Sequence, residues 1–176
     1  MSGSERAGRS RRVVIALGSN LGNRLENLQG GLDALFDAPG LTLVAVSPVY
    51  ETVPVGGPDQ PDYLNAVLIA ETSLPARTIL DRCHGVEAAL GRIRGEVWGP
   101  RTLDLDLIVY GDEVSVDPEL TLPHPRAHER AFVLAPWLVI DPDATIPGRG
   151  AAADLLAAAG PDGVCRLGAA VLYAPA

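Results

Sequence analysis

Asp104 and Asp106 stand two apart in "WGPRTLDLDLIVY", residues 98–110, with Arg101 three residues ahead. Alternate side chains of an extended chain share a face, so the two carboxylates point one way with α-carbons about 7 Å apart, while Leu103, Leu105 and Leu107 point the other. Such a pair could seat divalent cations. Mg²⁺ takes one or two protein carboxylates, keeps waters and completes its shell with substrate phosphates, and phosphoryl-transfer sites hold two such ions about 3.5–4 Å apart. An isolated Asp-x-Asp is more often the polar face of an amphipathic strand, and its neighbours reverse that preference here. "GRIRGEVWGPR", residues 91–101, sets Arg92, Arg94 and Arg101 among three glycines and a proline. Pro100 pushes Gly99 toward an extended or turn conformation. This reads as a lid whose guanidinium groups grip phosphate oxygens and whose closure excludes water. Arginines that only keep a loop soluble are the alternative.

Two further groups carry weaker signals. "LPHPRAHERAF" supplies His124, Arg126, His128 and Arg130. Histidines four apart can ligate zinc on a helix, but the prolines flanking His124 disfavour a helix and no third ligand is evident, so zinc is not expected. Phosphate or base contacts suit His124 and Arg130 better, with a surface histidine as the plain alternative. Tyr63 and Asn65 share a strand face, and an aromatic plate beside an amide suits a flat heterocycle with its own donors and acceptors.

The composition narrows the chemistry. All fourteen basic residues are arginine, and the 176-residue chain contains no lysine. That excludes a P-loop, a pyridoxal Schiff base and a protein-kinase strand lysine. A net charge of -8 disfavours nucleic-acid binding. The longest apolar run, Ala131 to Ile140, contains a proline and is too short to span a bilayer, and the polar first twelve residues lack the apolar stretch of a signal peptide. A cytoplasmic protein is expected, with residues 1–12 a disordered tail and 13–176 a single domain. Cys83 and Cys165 belong to no Cys-x-x-Cys pattern, and reduced thiols are expected.

The elements that must position these residues follow from pattern. "RVVIALGSN" reads as a buried strand entering a turn. Asn23 and Glu26 give a capping signal ahead of Leu25, Leu28, Leu32 and Leu35 at helical spacing, ended by Pro39-Gly40. "LTLVAVSPVYET" and "YLNAVLIAET" read as the second and third strands, joined by a proline- and glycine-rich connection long enough to be functional. Ser73 is the expected cap of a second helix, with Ile79, Leu80, Cys83, Val86 and Leu90 as its apolar stripe and Gly91 as its end. "TLDLDLIVY" is the fourth strand. The order predicts an α+β fold, a ferredoxin-like βαββαβ antiparallel sheet with both helices on one face and the other open for a site, plus C-terminal additions whose placement pattern does not give.

With these pieces together, the sequence resembles the 6-hydroxymethyl-7,8-dihydropterin pyrophosphokinase family over about residues 13–145. "ALGSNLG", "DQPDYLNAV", "GRIR", "WGPRTLDLDLIVYG" and "LPHPRAHERAFVL" carry the resemblance in the family's order. It implies the same ferredoxin-like fold and transfer of pyrophosphate from ATP to the pterin alcohol, releasing AMP. It implies that Asp104 and Asp106 hold two Mg²⁺ ions and that Asp106 helps accept the hydroxyl proton. Arg92 and Arg101 match the lid arginines that engage the phosphates, while Leu80, Arg94, Trp98, His124 and Arg130 match the nucleotide site. Thr52, Val55, Tyr63, Asn65 and Phe132 match the pterin pocket, with Tyr63 and Phe132 sandwiching the ring. Glu87 aligns with a helix-two acid in that region. Val53 and Val55 replace a proline and a leucine of some members, Glu119 stands where some carry an arginine near ATP, and Pro125 replaces a tyrosine. The expected partners are small-molecule substrates for a monomer, with neither nucleic acid nor membrane. The rivals are a metal-dependent phosphatase or nuclease, needing no pterin, and a non-enzymatic ferredoxin-like ligand-sensing module, needing neither the acid pair nor the lid.

Overall fold

A computed structural model describes residues 8–54, 59–90, 102–160 and 163–175. β1 (Arg11–Ser19) begins two residues before the expected domain boundary, so Arg11 and Arg12 belong to the sheet and not to a tail. Its unbroken apolar run suits a strand buried on both faces, and from Val13 to Ser19 every residue is buried. α1 (Arg24–Phe36) starts from Asn23, whose side-chain oxygen accepts the Glu26 N–H at 3.2 Å. Leu28, Leu32 and Leu35 on its inner stripe are fully buried.

The expected second strand is divided into β2 (Leu41–Val46) and β3 (Tyr50–Thr52). Pro48, lacking an N–H, interrupts the ladder, and Ser47 repairs it: its N–H donates to Val67 O at 2.8 Å and its Oγ accepts the Val67 N–H at 2.9 Å. β4 (Tyr63–Thr72) has the bounds read from sequence. α2 (Ala76–Ala89) is not capped by Ser73; Pro75 occupies the N-cap without a side-chain hydrogen bond, and the Thr72 hydroxyl accepts the Leu74 N–H at 3.0 Å. Pro75 has no N–H to leave unsatisfied there. The expected end at Gly91 lies outside the described residues.

β5 (Asp104–Tyr110) follows, then a hairpin of β6 (Ser115–Asp117) and β7 (Leu120–Leu122). The C-terminal part comprises α3 (Ala131–Ile140), a small β8 (Thr145–Ile146) and β9 (Gly150–Ala151) pair, α4 (Ala152–Ala159) and β10 (Val164–Arg166). The main sheet runs β10-β3-β4-β1-β5, with β2 also on β4, and its pairings are antiparallel.

α1 and α2 share one face, where Ile15, Leu17, Leu68 and Leu105 meet Leu32 and Ile79. The opposite face is not open along its length as expected. Val14, Ala16, Val67 and Ile69 pack against Val133, Leu134 and Trp137 of α3 and Ala152 of α4. The end of that face around Gly18, Asn65 and Asp104 lines a cavity. Among the described residues no helix is long and apolar enough to cross a membrane.

Candidate active site

β5 presents its carboxylates by strict alternation. Leu103, Leu105 and Leu107 are buried in the core beneath α1 and α2, which turns Asp104 and Asp106 to the other face, opposite Gly18 and Ala16 of β1. Gly18 in turn lies opposite Asn65 of β4. The register thus brings Asn65, Gly18 and Asp104 into one row across the sheet, with Ala16 and Asp106 in the next. Both carboxylates line two cavities, one of about 640 Å³ toward α2 and one of about 650 Å³ toward α3.

Charge is arranged around the pair. Arg130 Nη1 lies 3.7 Å from Asp106 Oδ2, and its guanidinium stands 5.5 Å from the centroid of the Phe132 ring. Burial lowers the Arg130 pKa and the facing Asp106 opposes that shift; the group remains a cation at neutral pH. His124 is fixed by its backbone, whose N–H donates to Ile108 O at 2.8 Å, while its Nδ1 accepts the Arg126 N–H at 3.2 Å. That hydrogen bond leaves Nε2 as the protonated nitrogen of the neutral ring. Burial pulls the His124 pKa below its ordinary 6.5, Asp106 opposing and Arg130 and Arg126 reinforcing. Among the described residues, no three His, Cys, Asp or Glu side chains gather into a closed metal cage. Two carboxylates on one strand face, part open to water, fit the mode in which Mg²⁺ leaves most of its shell to water and phosphate.

The cavity toward α3 gathers the residues expected to hold a heterocycle. Thr52 of β3, Tyr63 and Asn65 of β4 and Phe132 of α3 line it. Thr52 and Asn65 are both 5% exposed, and Asn65 Nδ2 donates to Thr52 Oγ1 at 2.7 Å, which fixes the amide's orientation. Gly18 allows this: a Cβ there would fall 3.1 Å from Asn65 Oδ1 and 3.5 Å from the Tyr63 ring. The β3–β4 connection is tied down at its far end. Asn20 Nδ2 donates to Gln60 Oε1 at 2.7 Å and to Pro61 O at 3.1 Å, and Arg24 Nη1 bridges Glu51 and Asp62 O at 2.8 Å each.

The cavity toward α2 is lined by Leu80 and His124, two residues expected at a nucleotide site. It is also lined by Arg77, Asp81, His84 and Glu87, of which the first three had no expected role. Their signal was present, because 77, 80–81, 84 and 87 recur at helical spacing on the flank of the apolar stripe. At the rim Arg77 Nη2 lies 2.7 Å from Glu119 Oε2, so the acid at the departure from the family pattern is held by a cation of α2. Cys83, beneath this wall, is pushed up to about 12 by burial and then by the Glu87 and Asp106 carboxylates; it is an inert thiol. Sequence reasoning also gave no role to Gln60, Arg126 or Glu129, nor to Ala159, Gly160, Gly163 and Val164 of the C-terminal segment, which line the α3-side cavity. Val55, Arg92, Arg94, Trp98 and Arg101 lie outside the described residues.

Comparison with known proteins gives concordant results. Residues 14–142 match the sequence model of the family described as 7,8-dihydro-6-hydroxymethylpterin-pyrophosphokinase. The chain is 47% identical over 145 residues to the 2-amino-4-hydroxy-6-hydroxymethyldihydropteridine pyrophosphokinase of Mycobacterium tuberculosis, a match covering 77% of this chain and 75% of that one. It is 42% identical over 156 residues to the protein of the same name from Pseudomonas aeruginosa, covering 89% of this chain and 96% of that one. Among solved structures it resembles Plasmodium falciparum HPPK-DHPS, wild type with SDX-DHP, at a TM-score of 0.68 and 12% identity, over 85% of this chain and 44% of that one. The chain therefore spans less than half of that protein, and at this identity the likeness is one of fold.

Proposed function

From its membership of the 7,8-dihydro-6-hydroxymethylpterin-pyrophosphokinase family, as an ATP-dependent enzyme of folate biosynthesis that transfers pyrophosphate from ATP to 6-hydroxymethyl-7,8-dihydropterin, we propose how this chain divides the work. ATP occupies the cavity toward α2 and the pterin the cavity toward α3. The single observation that carries this assignment is that Asp104 and Asp106 line both. The reacting ends of two substrates can then meet at one pair of carboxylates while their bodies are held apart.

Asp104 and Asp106 hold two Mg²⁺ ions, which supply charge neutralisation at the phosphate oxygens when bound. Tyr63 and Phe132 sandwich the pterin ring, and Asn65, pinned by Thr52, hydrogen bonds its edge. The hydroxymethyl oxygen attacks the β-phosphorus in line and AMP departs, with Asp106 helping to accept the hydroxyl proton. Arg130, 3.7 Å from Asp106, and His124 border the phosphates, with Leu80 against the nucleotide. The family resemblance assigns Arg92 and Arg101 to the phosphates, Arg94 and Trp98 to the nucleotide and Val55 to the pterin. Preorganised cations at the developing charge are the larger part of such catalysis, since phosphoryl transfer asks for little covalent chemistry from the protein.

The β1-α1-β2/β3-β4-α2-β5 unit is ferredoxin-like in this reading, because its strand order and helix placement are those of a split βαβ pair. The residues from β1 onward act as one domain in this reading, and the working unit is a cytoplasmic monomer, in keeping with both cavities being lined within one chain. Incubation with ATP, Mg²⁺ and hydroxymethyldihydropterin tests the whole. AMP should form only when the pterin is present. Inorganic phosphate released at the same rate without it would favour a phosphatase, and no turnover at all a ligand-sensing module.

A further inference from the structure

The family match ends at residue 142, yet the chain beyond it returns to the sheet. β10 pairs with β3, Val164 opposite Thr52 and Arg166 opposite Tyr50, on the edge that β4 does not use. The Leu167 N–H donates to Val49 O at 2.9 Å, Leu172 is buried in the core beneath α1, and Tyr173 exchanges two hydrogen bonds of 2.9 Å with Gln29. This segment is built into the fold, and its inner side reaches the α3-side cavity at Ala159, Gly160, Gly163 and Val164. Opposed residues of an antiparallel pair point to the same face, so Val164, Thr52 and Tyr63 stand together. Gly160 and Gly163 have φ of +81° and +80°, and among the described residues beyond their chain neighbours a Cβ at either would meet nothing within 4 Å. The wall there is bare backbone beside open space.

We propose that the C-terminal strand is a specificity-determining part of the site. Val164 forms a side wall of the cavity that takes the pterin and, by pairing with Thr52, positions the Thr52–Asn65 hydrogen bond, so that this segment governs recognition of the heterocycle and not of the nucleotide. The inference rests on assigning that cavity to the pterin.

Steady-state AMP formation tests it, with each substrate varied at a saturating level of the other. Val164→Phe should raise the KM for the pterin about tenfold or more, and Val164→Ala about threefold, with the KM for ATP held within about twofold in both. Cys165→Ser, one residue along at an exposed position, should change neither. If Val164→Phe fails to melt cooperatively, the alanine variant decides. Folded variants whose pterin KM stays at the wild-type value, or whose two KM values rise together, overturn the inference while leaving the function intact. A wild type that forms no AMP overturns the function and takes this inference with it.

Discussion

The carboxylate of Asp106 meets a cation, a histidine and both cavities, and its side chain is 43% exposed. Replacing it by asparagine should leave the fold intact, because its neighbours on the strand, not Asp106, supply the buried contacts. Turnover should fall by roughly 10²–10³, the scale on which one electrostatic group at a developing charge matters. AMP release and a thermal melt on Asp106→Asn check both halves, and a variant retaining more than a third of wild-type kcat contradicts the assignment. His124 gives a pH prediction. Its folded-state pKa is depressed, chiefly by burial, so the unfolded chain binds the proton first as pH falls. The stability held above the ordinary 6.5 is lost between there and the lower folded value. The wild type should therefore lose stability relative to His124→Gln on going from about pH 7 to pH 5. Parallel denaturation curves across that range would contradict the lowered His124 pKa. At this scale the sequence was informative where alternation governs, as at Asp104 and Asp106. It was less so at Arg77 and His84, which occupy a helix flank that the stronger apolar stripe conceals.

Among the elements, the junction of β2 and β3 shows one polar side chain holding two strand segments in a single ladder. Ser47 Oγ accepts the N–H of Val67, which is fully buried. Ser47→Ala leaves that donor without its acceptor and should cost about 1–3 kcal/mol in urea denaturation. A loss below about 0.5 kcal/mol would mean that water replaces the hydroxyl. The break was not legible because β-forming residues flank Pro48 on both sides, whereas the bounds of β4 were, with turn residues before it and a helix start after it. The placement of α3 was illegible for another reason. "AFVLAPWLVI" is apolar all round, and a helix without an apolar stripe carries no signal for which way to face. β10 has only three residues, too few for a periodic signal, and its partner β3 lies far upstream, so no local pattern could link it to the α3-side cavity.

The molecule as a whole divides labour between a sheet that fixes the acid pair and two helical layers that shape a cavity on either side of it. With Asp104 and Asp106 of β5 as the proposed ligands, Mg²⁺ would take protein carboxylates from one strand and draw the rest of its shell from water and phosphate. Mg²⁺ alone should therefore move Tm very little, and Mg²⁺ with a nonhydrolysable ATP analogue should raise it, since a ligand stabilises by its affinity for the native state. Chelation should abolish AMP formation while the apoprotein still unfolds cooperatively. A Tm shift from Mg²⁺ alone as large as that from the pair would instead indicate a preformed cage.

The two thiols differ in a way that has practical use. Cys83 is buried with its pKa pushed up to about 12, while Cys165 is exposed on β10. A maleimide fluorophore at neutral pH should attach once per molecule, at Cys165, and intact-mass measurement should show a single adduct on the folded protein and two after denaturation. The native polypeptide thus offers one dye position on the edge strand beside Val164, on the face turned away from the α3-side cavity, and labelling there needs no engineered mutation.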